Sequence, residues 1–192
     1  MEDLPIAKLK KDVYNKRVNK KQKEKRKEVL QMKKIIVKMP ESVKFDNSRK
    51  GAKWTFDGVH YCNEGNVAEA VLNYYFNNKL EYDHNSIRFD IEADLPAQGI
   101  SVKSGRFSLA SAGLLHGEDF YSQLQDYTMR DAASEIAYSI LMNDSFVYYL
   151  MNHEDFYDFM VEFYDKREFE KHGKIRGSRN YGKIVEWLEK RV

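Results

Sequence analysis

The chain has 192 residues, enough for one domain with a real core and an appendage but short for two full domains. Its 42% hydrophobic, 14% aromatic and 32% charged residues are the composition of a soluble globular protein. No apolar run approaches the roughly 18 residues of a membrane span and MEDLPIAKLKKD lacks a signal-peptide core, so the expectation is a cytoplasmic protein with no membrane partner. The single cysteine, Cys62, excludes an internal disulfide and any cysteine-based zinc site.

The net charge of +2 hides an asymmetry. From Lys8 to Lys38 there are 14 Lys and Arg against Asp12, Glu24 and Glu28, whereas residues 39–192 sum to −7. A basic arm, residues 1–40 and including Lys23 and Arg26, thus precedes an acidic domain, residues 41–192. Clustered cations of this kind suit a phosphate backbone, because neutralising phosphates releases condensed counterions. From Ala7 to Met39 the arm contains no glycine or proline and is rich in helix formers. It is expected to be helical or disordered, with Val29, Leu30, Ile35, Ile36 and Val37 docking its end and Pro40 closing it.

Residues 42–65, SVKFDNSRKGAKWTFDGVHYCNEG, read as loops and short extended pieces. A helix follows over 65–77, where Ala68, Val71, Leu72, Tyr75 and Phe76 form a core-facing stripe with Glu69 at its border. Residues 86–94, SIRFDIEAD, alternate as a strand, placing Arg88, Asp90, Glu92 and Asp94 on one face. A turn at 95–98 leads to GISVKS, and a four-residue loop would pair Asp94 with Gly99, Glu92 with Ser101 and Asp90 with Lys103. Three carboxylates, a hydroxyl and an ammonium would then share a face. Three like charges at alternate positions repel one another, and a bound cation accounts for them better than an ordinary edge strand does. From Glu118 onward the pattern reads as mostly helical: 122–144 as one helix, 146–169 as an aromatic-rich pair of helices or one bent helix with Phe156, Phe159, Met160 and Phe163 in the core, and a last helix with Ile184, Val185, Trp187 and Leu188. Between these, KHGKIRGSRNYGK holds Lys174, Arg176 and Arg179 with no acid, a composition suited to a solvated loop or to one that touches DNA.

Three local motifs give this pattern a family likeness. GNVAEAVLNYYF places Gly65 four residues before Glu69, DLPAQGISVK spaces Asp94, Ser101 and Lys103, and Gln123 and Tyr127 form Q-x-x-x-Y on a following helix. Together these resemble the PD-(D/E)XK nuclease superfamily over residues 65–127, in an S-x-K variant. The resemblance implies an α/β, restriction-endonuclease-like fold: a mixed β-sheet core flanked by helices, here with the basic arm and a helical C-terminal part. It implies a Mg²⁺-dependent endodeoxyribonuclease, with Mn²⁺ as a substitute, in a restriction, phage or mobile-element role and often dimeric. Asp94, Glu69, Ser101, Lys103 and Gln123 would be the catalytic set. The metal would be held by Asp94 and Glu69 with Asp90, Glu92 or Glu118; Glu118 or Glu92 would supply the acid that Ser101 lacks, and Asp90 is a rival to Asp94. Arg106 and Tyr127, with the arm and the 171–183 loop, would contact DNA. The alternative is a non-catalytic nucleic-acid-binding or interaction protein on a nuclease-derived scaffold.

Overall fold

A computed structural model describes residues 32–51, 53–78, 92–104, 119–164, 166–167, 169 and 180–192. Four strands, β1 (Lys33–Lys38), β5 (Ile100–Ser104), β6 (Glu135–Met142) and β7 (Ser145–Met151), form one sheet in the order β1-β7-β6-β5. The pairings β1/β7 and β7/β6 are antiparallel and β6/β5 is parallel, so the sheet is mixed. Three shorter strands, β2 (Lys44–Phe45), β3 (Trp54–Phe56) and β4 (Val59–Tyr61), make an antiparallel meander. The helices among the described residues are α1 (Glu64–Asn77), α2 (Phe120–Arg130), α3 (His153–Phe163) and α4 (Tyr181–Glu189). None is long and apolar enough to cross a membrane.

The period-2 rule assigns the two faces of the large sheet. Ile100, Val102, Ala137, Phe146, Tyr148 and Leu150 pack with α1 and with Trp54, Phe56 and Tyr61 of the meander. On the other face Ile136, Tyr138, Val147 and Tyr149 pack with Leu124 of α2, Phe156, Phe159 and Met160 of α3, and Ile184 and Leu188 of α4. The protein is therefore a mixed α/β fold whose central strands are buried on both faces. Each helix begins on a side-chain cap: Asn63 accepts from Asn66 N–H, Asp119 from Tyr121 and Ser122 N–H, Asn152 from Asp155 N–H, and Asn180 from Lys183 N–H. Asn78 closes α1 in the left-handed conformation at φ 51°.

Several sequence expectations are overturned. The stretch 122–144 is helical only as far as Arg130, and 146–169, expected to be helical, starts as a strand with its helix beginning at His153; residues 135–142 and 145–151 are the β6/β7 hairpin, turned at Asn143 with φ 54°. EIAYSILM and SFVYYLM are short continuous apolar runs rich in aromatic and β-branched residues, and burial on both faces erases the alternation that marks a half-buried strand. Lys33–Lys38, expected as the helical end of the arm, is the edge strand β1, where Ile35, Ile36 and Val37 suit an extended backbone. Finally, the loop before β5 is Pro96–Gly99, because Leu95 and Ile100 exchange backbone hydrogen bonds of 2.8 and 3.2 Å. Gly99 provides the positive φ of 66° at its end, and two buried apolar residues close it. Residues 1–31 and 79–91, with most of the expected 86–94 strand, lie outside the described residues.

Candidate active site

The loop lies one residue later than expected, which shifts the pairing by two residues; side chains keep their expected faces, but Asp94 moves from Gly99 toward the middle of β5. There its Oδ2 accepts from Val102 N–H at 2.7 Å and lies 3.8 Å from Lys103 Nζ. Ser101 and Lys103, alternate residues of β5, face away from Ile100 and Val102 and toward the α2 side of the sheet.

A second carboxylate meets them from α2. Gln123 and Tyr127 are buried on this helix, and one turn further Asp131 caps its C-terminus. Spacing of four puts all three residues on one helical stripe. Asp131 Oδ1 accepts from Ser101 Oγ at 2.8 Å and from Ala133 N–H at 3.1 Å. Its Oδ2 lies 3.3 Å from Lys103 Nζ and accepts no hydrogen bond of good geometry. The Asp131 side chain is 0% exposed, that of Lys103 10% and that of Asp94 18%. An ammonium and two carboxylates thus meet beside a hydroxyl, almost out of water.

Burial sets the electrostatics. It pushes the Asp94 carboxyl above the ordinary range, Lys103 and the Val102 N–H pull it back, and Asp131 pushes it up again. For Lys103 burial opposes the charge, but the carboxylates of Asp94 and Asp131 outweigh it and hold the amine protonated above its usual range. Burial also raises the Tyr127 hydroxyl, against the pull of Lys103, so the phenol keeps its proton. A charged Lys103 can orient water or stabilise an anion; it cannot act as a base.

The remaining expected residues divide into two groups. Glu69 lies on α1, which packs against the opposite, Ile100 and Val102 face of β5; there its charge acts on Tyr148. Glu92 is exposed. Asp90, Glu118, Arg106, Lys174, Arg176, Arg179, Lys23 and Arg26 lie outside the described residues. Gly65 has a local reason: a Cβ there would stand 2.8 Å from Ser104 Oγ, so its absence lets α1 approach the end of β5.

Comparisons with protein-family models, with curated proteins and with solved structures find no match. The chemistry rests on the residues themselves. Among the described residues no group of three or more His, Cys, Asp and Glu side chains is arranged to hold a metal. Magnesium needs fewer, since it keeps several waters and takes one or two carboxylates. Asp94 and Asp131 are hard oxygen donors, and the buried Asp131 Oδ2 has lone pairs that no hydrogen bond uses. Both carboxylates already face the Lys103 ammonium, at 3.8 and 3.3 Å, so a cation taken up here would share them with Lys103.

Asp131 is the residue that sequence reasoning missed. Its signal was the i, i+4, i+8 series of polar residues Gln123, Tyr127 and Asp131 on an otherwise apolar stripe. Extending the helix to residue 144 hid it, because Asp131 then looked like one more polar position within a long helix.

Proposed function

We propose that the chain is a divalent-metal-dependent nuclease in which Asp131 supplies the carboxylate that Ser101 does not. The observation that carries this reading is the placement of Lys103 between Asp94 and Asp131, 3.8 and 3.3 Å away, with the Ser101 hydroxyl bonded to Asp131. Three elements separated in sequence deliver these groups: the turn before β5, β5 itself and the C-terminus of α2. The mixed sheet with helices on its faces, the Gly65 approach and the buried Gln123 and Tyr127 also support the likeness to the PD-(D/E)XK superfamily.

Asp94 and Asp131 would hold Mg²⁺ or Mn²⁺, which when bound activates water and offsets charge on the phosphate. Lys103, kept protonated, orients the attacking water or neutralises a non-bridging phosphate oxygen. Ser101 is a positioning residue in this scheme, since its hydroxyl fixes the orientation of the Asp131 carboxylate. The substrate in this reading is DNA, which the arm's cations would retain by counterion release.

The test is incubation of the full chain with supercoiled plasmid in Mg²⁺, Mn²⁺ or EDTA. Wild type nicks only with metal, and Lys103→Ala and Asp131→Asn each reduce the rate by about a hundredfold or more. Thermal unfolding of each variant, read alongside, shows that the losses occur in folded protein. A second reading is a nucleic-acid-binding protein on the same scaffold, favoured by the near-complete burial of Lys103 between two acids that neutralise it. It predicts plasmid retardation without cleavage under every metal condition.

A further inference from the structure

Lys103 stands where a shared cation would have to go. Its Nζ lies 3.3 Å from Asp131 Oδ2 and 3.8 Å from Asp94 Oδ2. On Asp131 the other oxygen is already engaged, since Oδ1 accepts from Ser101 Oγ at 2.8 Å and from Ala133 N–H at 3.1 Å. The two Oδ2 atoms are therefore the ones that face each other across the cluster, and the ammonium fills the space between them. Mg²⁺ binds oxygen at about 2.0–2.1 Å, so two carboxylates that share the ion have to draw together around it, into that same space. The Asp131 side chain is 0% exposed and that of Lys103 10%, so little water screens the repulsion between an ammonium and a second cation. Ammonium and divalent ion exclude one another.

The ammonium is carried on a flexible four-carbon stem, and a second anion can draw it away. Of the three charged side chains Asp94 is the most exposed, at 18%, so the cluster meets water on its Asp94 side. A phosphodiester arriving there offers the ammonium a new partner. With Lys103 drawn off, two buried carboxylates stand uncompensated, an arrangement that is costly until another cation joins them. The charges then balance: two carboxylates against one divalent ion, and one ammonium against one phosphodiester.

We propose that the Lys103 ammonium competes with the divalent cation for Asp94 and Asp131, and that a phosphodiester relieves the competition by taking up Lys103, so that cation and phosphodiester bind cooperatively. The inference rests on the proposed function for the identity of both ligands. Competition weakens cation binding in the absence of phosphodiester without preventing it at saturation.

The experiment reads free Mn²⁺ by electron paramagnetic resonance during titration of the full chain, alone and with thymidylyl-thymidine, after subtraction of the Mn²⁺ that the dinucleotide binds by itself. Its methylphosphonate analogue, which has no charge on the linkage, is the control. The dinucleotide tightens Mn²⁺ binding by about fivefold or more and the analogue leaves it unchanged. Lys103→Met binds Mn²⁺ about tenfold or more tightly than wild type without any dinucleotide, and gains nothing when it is added. Mn²⁺ also raises the melting temperature of Lys103→Met by more than that of wild type, which places the ion on folded protein. The wild-type arms decide the matter even if Lys103→Met does not fold. Mn²⁺ binding that is lost in Asp131→Asn, yet is the same with dinucleotide, with analogue and with neither, overturns this inference and leaves the proposed function standing. Failure of wild type to bind Mn²⁺ under every condition overturns both.

Discussion

Replacing Lys103 by methionine removes the charge between Asp94 and Asp131 while keeping most of the side-chain volume. The pair distances are 3.8 and 3.3 Å, and both carboxylates are shielded from water. At an effective dielectric of about 20, each pair is worth about 4 kcal/mol before the desolvation of the ammonium is set against it. Breaking a buried pair by removing one partner typically costs about 3–5 kcal/mol, because it strands the other charge, and we expect that loss for Lys103→Met near neutral pH. The loss depends on pH in a defined direction. Burial already raises Asp94 in the folded state, so folding favours its protonated form; that stabilisation is present below the ordinary value of 3.8 and is lost as pH rises through the folded value. Lys103 is the largest influence pulling Asp94 down, so its removal extends this window upward and the variant's deficit grows from acid toward neutral pH. Urea unfolding followed by the fluorescence of Trp54 and Trp187 across that range gives the curve. The double variant Lys103→Met/Asp131→Asn should cost about 0.5–3 kcal/mol less than the two singles added together. A loss under about 1 kcal/mol, independent of pH and additive with Asp131→Asn, would refute the buried cluster, since that is how a solvent-screened surface pair behaves.

Two further outcomes test how the scaffold holds the site. Gly65→Ala should destabilise by about 1–3 kcal/mol, since its Cβ would lie 2.8 Å from Ser104 Oγ and 3.1 Å from Asn63 Oδ1; Ser104→Ala removes the closer of these contacts and should recover part of the loss in a thermal melt. Tyr148→Phe deletes the 2.8 Å hydrogen bond from a buried hydroxyl to Ala68 O on α1 and should lower stability by about 0.5–1.5 kcal/mol in urea.

The legible parts of the sequence were those where one side of an element meets water. The helix α1, the short extended pieces before it and the last helix keep the contrast between apolar and polar positions that periodicity reads, and the structure has them, although of the expected α1 stripe only Ala68, Val71 and Leu72 are buried while Tyr75 and Phe76 are exposed. Asp94 and Lys103 were expected on a common face and lie on one, although the loop closes one residue later than the polar pattern suggested. The hairpin of β6 and β7 was hidden by burial on both faces, and β1 by the lysines that flank its apolar centre and continue the composition of the arm. Asp131 illustrates why a site is harder to read than a fold. Its partner Ser101 lies 30 residues earlier, and only the parallel pairing of β5 with β6 brings the end of α2 over Ser101 and Lys103.

A shared divalent cation on the proposed pair, Asp94 and Asp131 beside Lys103, should be visible in a crystal of the full chain soaked in Mn²⁺. Anomalous density is expected in direct coordination distance of both carboxylates, and should be lost in an Asp131→Asn crystal. Saturating Mn²⁺ that leaves the two acids without density, with the Lys103 ammonium still between them, would contradict it.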